Sequence, residues 1–526
     1  MPARPFCNMP FPLMGFRTTL SCQPRFAVCI VALSLLLTGC AINRTEAPVD
    51  GVNVTDWETP ALSEVARRAQ DAAAPLPQSE TGWWGQFNDP VLLDLINTAR
   101  NENREIRIAA LRIIEARAQA AGLRANLRPQ SFTGTLTGGY AANALAGGRI
   151  VDNDFLFVDA GVSAGWEIDI FGRIRRSIEQ GDAVLSGIEA TARDIEILIS
   201  AEVARRYYNY RTAEARLAIV RNNAALQQRS TDIANLRYEY GQDSELDAQQ
   251  ARSQLVATET AIPGLMATME QERAALAVLT GRLPGDIVLD ARQEFPVANL
   301  PLYAIPADML MRRPDVRSAV QGIEVQAAQL DLTKAQLQPA FVLAGAFGIT
   351  RTTAGGLSDA VTESLAGSLS FPIFDFGRIR NAIRAQDARL EQAVARYEQT
   401  VLDAARETDT VAINLLRIRE EIALLTESAA IARRGLEIAT TRYREGLSPF
   451  DRVLDAQAVL LRQEDNLTAA RGREAVALIS LYRVIAGSWE MRAPEEIIPE
   501  STLERMQERT NWGDDIIENM AGEEAP

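Results

Sequence analysis

Phe171-Gly172-Arg173-Ile174-Arg175 returns as Phe376-Gly377-Arg378-Ile379-Arg380, an offset of 205 residues, and the architecture is read outward from that return. At the same offset Arg237-Tyr238 and Gly241 recur as Arg442-Tyr443 and Gly446. Slightly further on, Leu246-Asp247-Ala248-Gln249 recurs as Leu454-Asp455-Ala456-Gln457, so the second copy has gained three residues at the intervening turn. Upstream, Leu127-Arg128-Pro129 answers Leu337-Gln338-Pro339. Four matches in one order at nearly constant offset mark two tandem copies of a unit. The expected bounds are 90–285 and 314–487, joined by a linker over 286–313.

Within each copy the hydrophobic period changes in the same order. Leu390, Val394, Tyr397, Val401, Ala404, Thr408, Val411, Leu415, Ile418, Ile422 and Leu425 alternate spacings of four and three, a coiled-coil seam with Thr408 its one polar member. Arg173 to Tyr240 and Arg378 to Glu445 contain no proline, and each would reach about 100 Å as a continuous helix. Helices of that length are rods packed side by side rather than pieces of a globule. Gly241-Gln242-Asp243-Ser244 and Gly446-Leu447-Ser448-Pro449 end the rods and start return helices expected to run to about Thr280 and Ala486. Ser448 and Pro449 are expected to serve as cap and first-turn residue.

Ahead of each rod the period falls to two. Phe132, Leu136 and Tyr140 face away from Ser131, Thr133, Thr135 and Thr137, and Val162, Ala164, Trp166, Ile168 and Ile170 alternate with Gly161, Ser163, Gly165, Glu167 and Asp169. Phe341, Leu343, Phe347 and Ile349, then Leu365, Leu369 and Phe371, repeat this in the second copy. Segments of about ten residues suit tilted membrane strands whose polar face lines a lumen. A soluble antiparallel sheet with one wet face would show the same alternation. Four strands cannot close a barrel with a lumen, and lipid tolerates no open edge, so membrane strands require several chains to share one barrel. The connections Ala141 to Phe157 and Arg351 to Thr362 read as exposed loops.

Composition removes whole classes of function. The chain has no histidine, which excludes His-based triads and His-ligated metals. Cys7, Cys22 and Cys29 precede residue 40, so cleavage there leaves Cys40 as the last thiol and no intrachain disulfide. The net charge is −15; without Arg4, Arg17 and Arg25 of the leader it is nearer −18, which disfavours nucleic acid. The leader is basic, then apolar from Phe26 to Leu37, too short for a membrane span. Its end, Leu37-Thr38-Gly39-Cys40, resembles the lipobox of bacterial lipoproteins, which implies a signal peptide over 1–39 and acylation of Cys40. Ala41 after that cysteine fits sorting to the outer membrane. The remaining expected divisions are an acylated, extended segment over 40–89 and an acidic tail over 488–526.

The element order and motifs resemble the TolC-like outer-membrane efflux protein family, in particular its lipoprotein branch, the NodT-type outer-membrane factors. Gly82-Trp83-Trp84 with Phe87, Asp89-Pro90, Leu92 and Leu95-Ile96 matches that branch's entry motif. Arg312-Arg313-Pro314-Asp315-Val316 matches the opening of the second copy, and Pro372-Ile373-Phe374 the last strand-to-rod junction. The resemblance covers about Trp83 to Gly487. It implies a mainly α chain with a membrane β-barrel portion: four strands and long coiled-coil helices, three chains forming one channel-tunnel. It further implies a lipid-anchored outer-membrane duct extending into the periplasm, passing small toxic compounds from a periplasmic adaptor and an inner-membrane RND-type pump to the exterior. Neither enzyme activity nor a cofactor or metal is implied. A duct for type I protein secretion and a structural envelope lipoprotein without a pore remain alternatives.

Candidate site residues follow. Asp451 and Asp455, four apart on one helical face after the Gly446 turn, would form two stacked carboxylate rings around a threefold axis near the tunnel's narrow end. Acids in a first helical turn also favour the helix dipole whatever the function. Asp455 falls on the family's aperture motif Leu-Asp-Ala-Gln, while Ala458 stands where some relatives carry an arginine. By resemblance Arg237, Tyr238, Gly241, Arg442, Tyr443, Gly446 and Leu447 mark tips that meet the adaptor, though the same residues are needed to make the turns. Tyr207, Tyr208 and Tyr210 read as packing residues at helical spacing. Asp514-Asp515 and Glu523-Glu524 read as a solvated tail.

Overall fold

The computed structural model describes residues 44–46, 57–72, 79–143, 153–292, 295, 309–353, 358–485 and 492–510. The leader, Cys40 and the tail acids Asp514, Asp515, Glu523 and Glu524 lie outside them. Helices α1 (Pro60–Ala72), α2 (Glu80–Gly85), α3 (Pro90–Glu102) and α4 (Arg104–Ala125) lead to the strands β1 (Ser131–Asn143) and β2 (Asn153–Ile168). The rod α5 (Arg173–Glu239) follows, and α6 (Glu245–Glu259) and α7 (Ala261–Leu279) return along it. The order repeats with α8 (Met309–Arg312), α9 (Pro314–Ala335), β3 (Ala340–Thr352), β4 (Ser358–Ser370), the rod α10 (Arg378–Arg444) and its return helix α11 (Asp451–Ile485). Helices α12 (Pro494–Ile497) and α13 (Glu500–Thr510) close the described chain.

The repeated motifs are the joints of this design. Gly172 and Gly377 take φ of 83° and 82° directly before the rods, a left-handed turn that glycine adopts without strain. Beside them Asp169 accepts from the backbone N–H of Ile174 and Arg175, and Asp375 from that of Gly377 and Ile379. These carboxylates satisfy amides that an N-terminus leaves without helical partners. At the far ends Gly241 N–H bonds Tyr238 O and Gln242 N–H bonds Arg237 O; Gly446 and Leu447 do the same to Tyr443 and Arg442. Both rods therefore end in a Schellman motif with left-handed glycine at φ 70° and 72°.

Each rod is one unbroken helix of 67 residues. Apart from half-buried Val394, the seam is buried from Leu390 through Val401, Ala404 and Thr408 to Leu415, and it is half-buried from Ile418 to Leu425. Thr408 satisfies its buried hydroxyl on Ala404 O at 2.8 Å. A hub of Trp83, Trp84, Phe87, Tyr207, Tyr208 and Tyr482 joins the rods in mid-length. Asp89 caps α3, accepts from the Tyr207 hydroxyl at 2.6 Å and takes both arms of Arg292. The tyrosines are thus packing residues. In the second-copy entry motif Pro314 opens α9, Val316 is buried, and buried Arg313 bridges Asp315 and Glu407.

The strands form one antiparallel sheet in the order β1-β2-β3-β4. They run 13 to 16 residues, longer than the ten expected, and take in both ends of the stretches read as loops: Ala141 pairs Phe155 and Arg351 pairs Asp359. Cross-strand backbone pairing overrides the loop-like Gly, Ala and Asp composition there.

Four further expectations change. The first return helix breaks at Thr260, because Pro263 lacks the N–H an unbroken helix would use and sits instead in the first turn of α7. The Ser448-Pro449 pair does not cap α11, which starts at Asp451, since the three extra residues continue the turn through Phe450; Ser244 does cap α6, in a capping box with Asp247. The 40–89 segment is not simply extended, as it holds α1 and α2. The start of the 488–526 segment is likewise ordered: α12 buries Ile497, and Arg492 pairs with Glu196 at 2.7 Å.

Candidate functional site

Two ends, separated by the length of the rods, carry the functional geometry. At the tips, Asp243 from the turn after α5 takes both arms of Arg237, at 2.9 and 3.2 Å, and accepts from the Tyr443 hydroxyl of the second rod at 2.6 Å. The Arg237 guanidinium lies 5.2 Å from the Tyr443 ring centre, and the Phe450 ring packs on the Tyr443 ring with centres 5.0 Å apart. Ala234, Ala251 and Val453 complete a small apolar cluster around them. Burial alone would raise the Asp243 carboxyl, but Arg237 and Tyr443 outweigh it and hold it below the usual carboxylate range. Burial, then the bond to Asp243, pushes the Tyr443 phenol up. The three side chains latch one copy's tip to the other's.

Asp243 and this latch were not foreseen. The repeat hides them, because the positions equivalent to Arg237 and Tyr443 in the other copy, Arg442 and Tyr238, are exposed. Of the other tip candidates, Gly241, Gly446 and Leu447 are exposed and serve the helix stops through their backbones. Arg442, Tyr238 and Leu447 also present free side-chain surface beyond the latch.

Asp451 and Asp455 are both exposed at the start of α11. Asp451 opens the helix, where the dipole favours an acid. Asp455 lies a full turn further, beyond that effect, and its carboxylate makes no hydrogen bond or ion pair with another described residue. Its counterpart Asp247 is consumed by the Ser244 capping box. Deeper along the pair of rods, Gln457 reaches Ser230 at 2.9 Å and Arg216 grips Asp465 at 2.7 and 3.0 Å.

At the other end the sheet is apolar on one face. Phe132, Leu136 and Leu365 are 79%, 78% and 79% exposed there, aligned with Val162, Phe347 and Ile349 by the register. The opposite face carries Thr133, Ser163, Ala346 and Ser364 in one row and Thr135, Gly161, Gly348 and Thr362 in the next. Strands β1 and β4 are the outer strands, and among the described residues no further strand pairs with their outer edges. No helix among the described residues is long and apolar enough to cross a membrane.

A further contact lies near the sheet. Asp331, 1% exposed, accepts from the Thr45 backbone N–H at 2.8 Å and from its hydroxyl at 2.5 Å, and Lys334 closes the group at 3.2 Å. The chain five residues after Cys40 is therefore held against the end of α9 that feeds β3.

The family model for the outer membrane efflux protein matches residues 95–282 and 305–487. The chain is 27% identical over 479 residues to the toluene efflux pump outer membrane protein TtgF of Pseudomonas putida, covering 88% of this chain and 96% of that protein. It is 26% identical over 468 residues to the cation efflux system protein CusC of Escherichia coli, covering 87% and 98%. The solved outer-membrane channel OprN superposes with a TM-score of 0.75 at 28% identity, over 83% of this chain and 98% of that one.

Proposed function

We propose, on the premise that this chain belongs to the outer membrane efflux protein family, that three copies of it form the outer-membrane channel of a tripartite efflux system. Each open sheet edge pairs with a neighbour's, so that twelve strands close one barrel and the rods and return helices form a tunnel in the periplasm. Cargo enters from an inner-membrane pump through a periplasmic adaptor. The observation that carries this reading is a sheet with one apolar exposed face and two open edges, mounted on rods of about 100 Å. Lipid covers such a face, and neighbouring chains cover such edges. The duct reading assigns the chain no catalytic step.

Small-solute efflux is favoured over protein secretion because TtgF and CusC are named for toluene and cation efflux. The two relatives differ in named cargo while each matches this chain along nearly its whole length, so the cargo of this channel is read as set by its pump. Deleting the gene should raise cellular accumulation of a fluorescent pump substrate, and wild-type chain should restore efflux. Accumulation that is unchanged by deletion, in cells whose pump and adaptor are present, would contradict the reading.

We assign Cys40 as the acylated residue of a lipoprotein. The Thr45–Asp331 contact supports this, since five residues of chain span at most about 17 Å and keep the anchor beside the base of the barrel. Palmitate should label the wild-type chain and not Cys40→Ser. Asp451 and Asp455 are read as carboxylate rings at the narrow end, with the Arg237–Asp243–Tyr443 latch holding the tips. Exposed Tyr238, Arg442 and Leu447 are read as adaptor-facing.

A further inference from the structure

Strand alternation puts Phe155 and Phe157 on the wrong face. Leu156 and Val158 lie with the apolar set, whereas Phe155 and Phe157 share the polar face with Asp159, Gly161 and Ser163. Both rings are half-buried, with centres 6.3 Å apart. They sit at the end of β2 that faces away from the rods. The next layer is polar again: Asp159 lies between Thr137 and Thr350 and accepts from the Thr350 hydroxyl at 2.9 Å.

The place of the Phe157 ring is built into the neighbouring strand. A Cβ on Gly139 would stand 2.8 Å from two of its ring carbons, so only glycine lets the ring lie across β1. Shielding a strand glycine with an aromatic ring is a known device of sheet stability, and it accounts for Phe157 alone. Phe155 pairs in register with Ala141, not with a glycine. Interfacial aromatic belts do not account for either ring, since those belts face lipid and these rings face the opposite way.

We propose that Phe155 and Phe157 of the three chains form an apolar aromatic collar inside the outer mouth of the barrel, a binding surface for aromatic and cationic-aromatic solutes at the point of release. The inference rests on the trimeric channel proposed above. A narrow apolar band in an otherwise polar lumen impedes ions by disfavouring water. Its ring faces attract organic cations as well as apolar solutes.

The test is single-channel recording of the trimer with tetraphenylphosphonium as blocker, added on the side of the strand-end loops. Wild type should be blocked, and Phe155→Ser/Phe157→Leu should conduct better and show about tenfold weaker block, the size of one cation–π contact with a partly desolvated ring. If that variant forms no trimer, Phe155→Leu is read instead; it keeps the apolar volume, loses a ring and should still weaken the block. A trimeric variant with wild-type conductance and block would overturn the collar and leave Phe157 as cover for Gly139. Absence of any wild-type conductance would instead indict the channel reading.

Discussion

Arg237, Asp243 and Tyr443 illustrate how much of the tip depends on three side chains from both copies. Because the Asp243 carboxyl is held below its ordinary value, its contribution is complete above the ordinary carboxylate range and is lost as pH falls through the lowered value. The raised Tyr443 phenol keeps its proton through the whole neutral range. The latch therefore stays shut at neutral pH and loosens only in strong acid. Tyr443→Phe removes one bond to a charged acceptor, about 1–2 kcal/mol once partial exposure is allowed for. That shifts an open–closed balance roughly tenfold, so the variant should spend more time in high-conductance states with its ion selectivity unchanged. Asp451→Ala/Asp455→Ala should behave differently, raising conductance while weakening cation preference and abolishing block by divalent cations. Unchanged selectivity in that double variant would make the acids helix-start residues only. Asp455 is singled out by its repeated motif and its gating role is a proposal, whereas Asp243 had no sequence signal, because its partner lies 200 positions away and only the folded rods bring them together.

At the scale of elements, the rods were the most legible feature: a proline-free stretch with a seam of threes and fours has few other solutions. The joints at Gly241 and Gly446 were also legible as glycine helix stops, whereas the left-handed turns at Gly172 and Gly377 ahead of the rods emerge only in the structure. Strand ends and the break at Thr260 were not, since pairing partners decide the first and a single Pro263 the second. One close approach was equally silent. Gly472 of α11 faces Thr212 of α5, where an added Cβ would meet the threonine hydroxyl oxygen at 2.3 Å and its methyl at 2.7 Å. Gly472→Ala should therefore lower stability by about 1–3 kcal/mol through overpacking, despite alanine's better helix propensity. Thr212→Ala should restore most of the loss, because it removes the colliding atoms. Equal melting temperatures for wild type and Gly472→Ala would show that Thr212 turns aside without cost.

At the scale of the whole molecule, the single chain is an incomplete object. Its sheet exposes large apolar side chains and two unpaired edges, a combination that water does not tolerate and that lipid accepts only after closure. The number three came from family resemblance, not from periodicity, since nothing in one chain counts its neighbours. The barrel, the tunnel and the proposed gating role of Asp451 and Asp455 all presuppose that assembly. The most direct test is to purify the mature chain in detergent, weigh the native particle, and record it in a planar bilayer. The account predicts a particle of three chains that passes discrete, cation-preferring current steps, larger in Tyr443→Phe than in wild type. A stable monomer with native helix content, or a trimer that carries no current in either form, would contradict it.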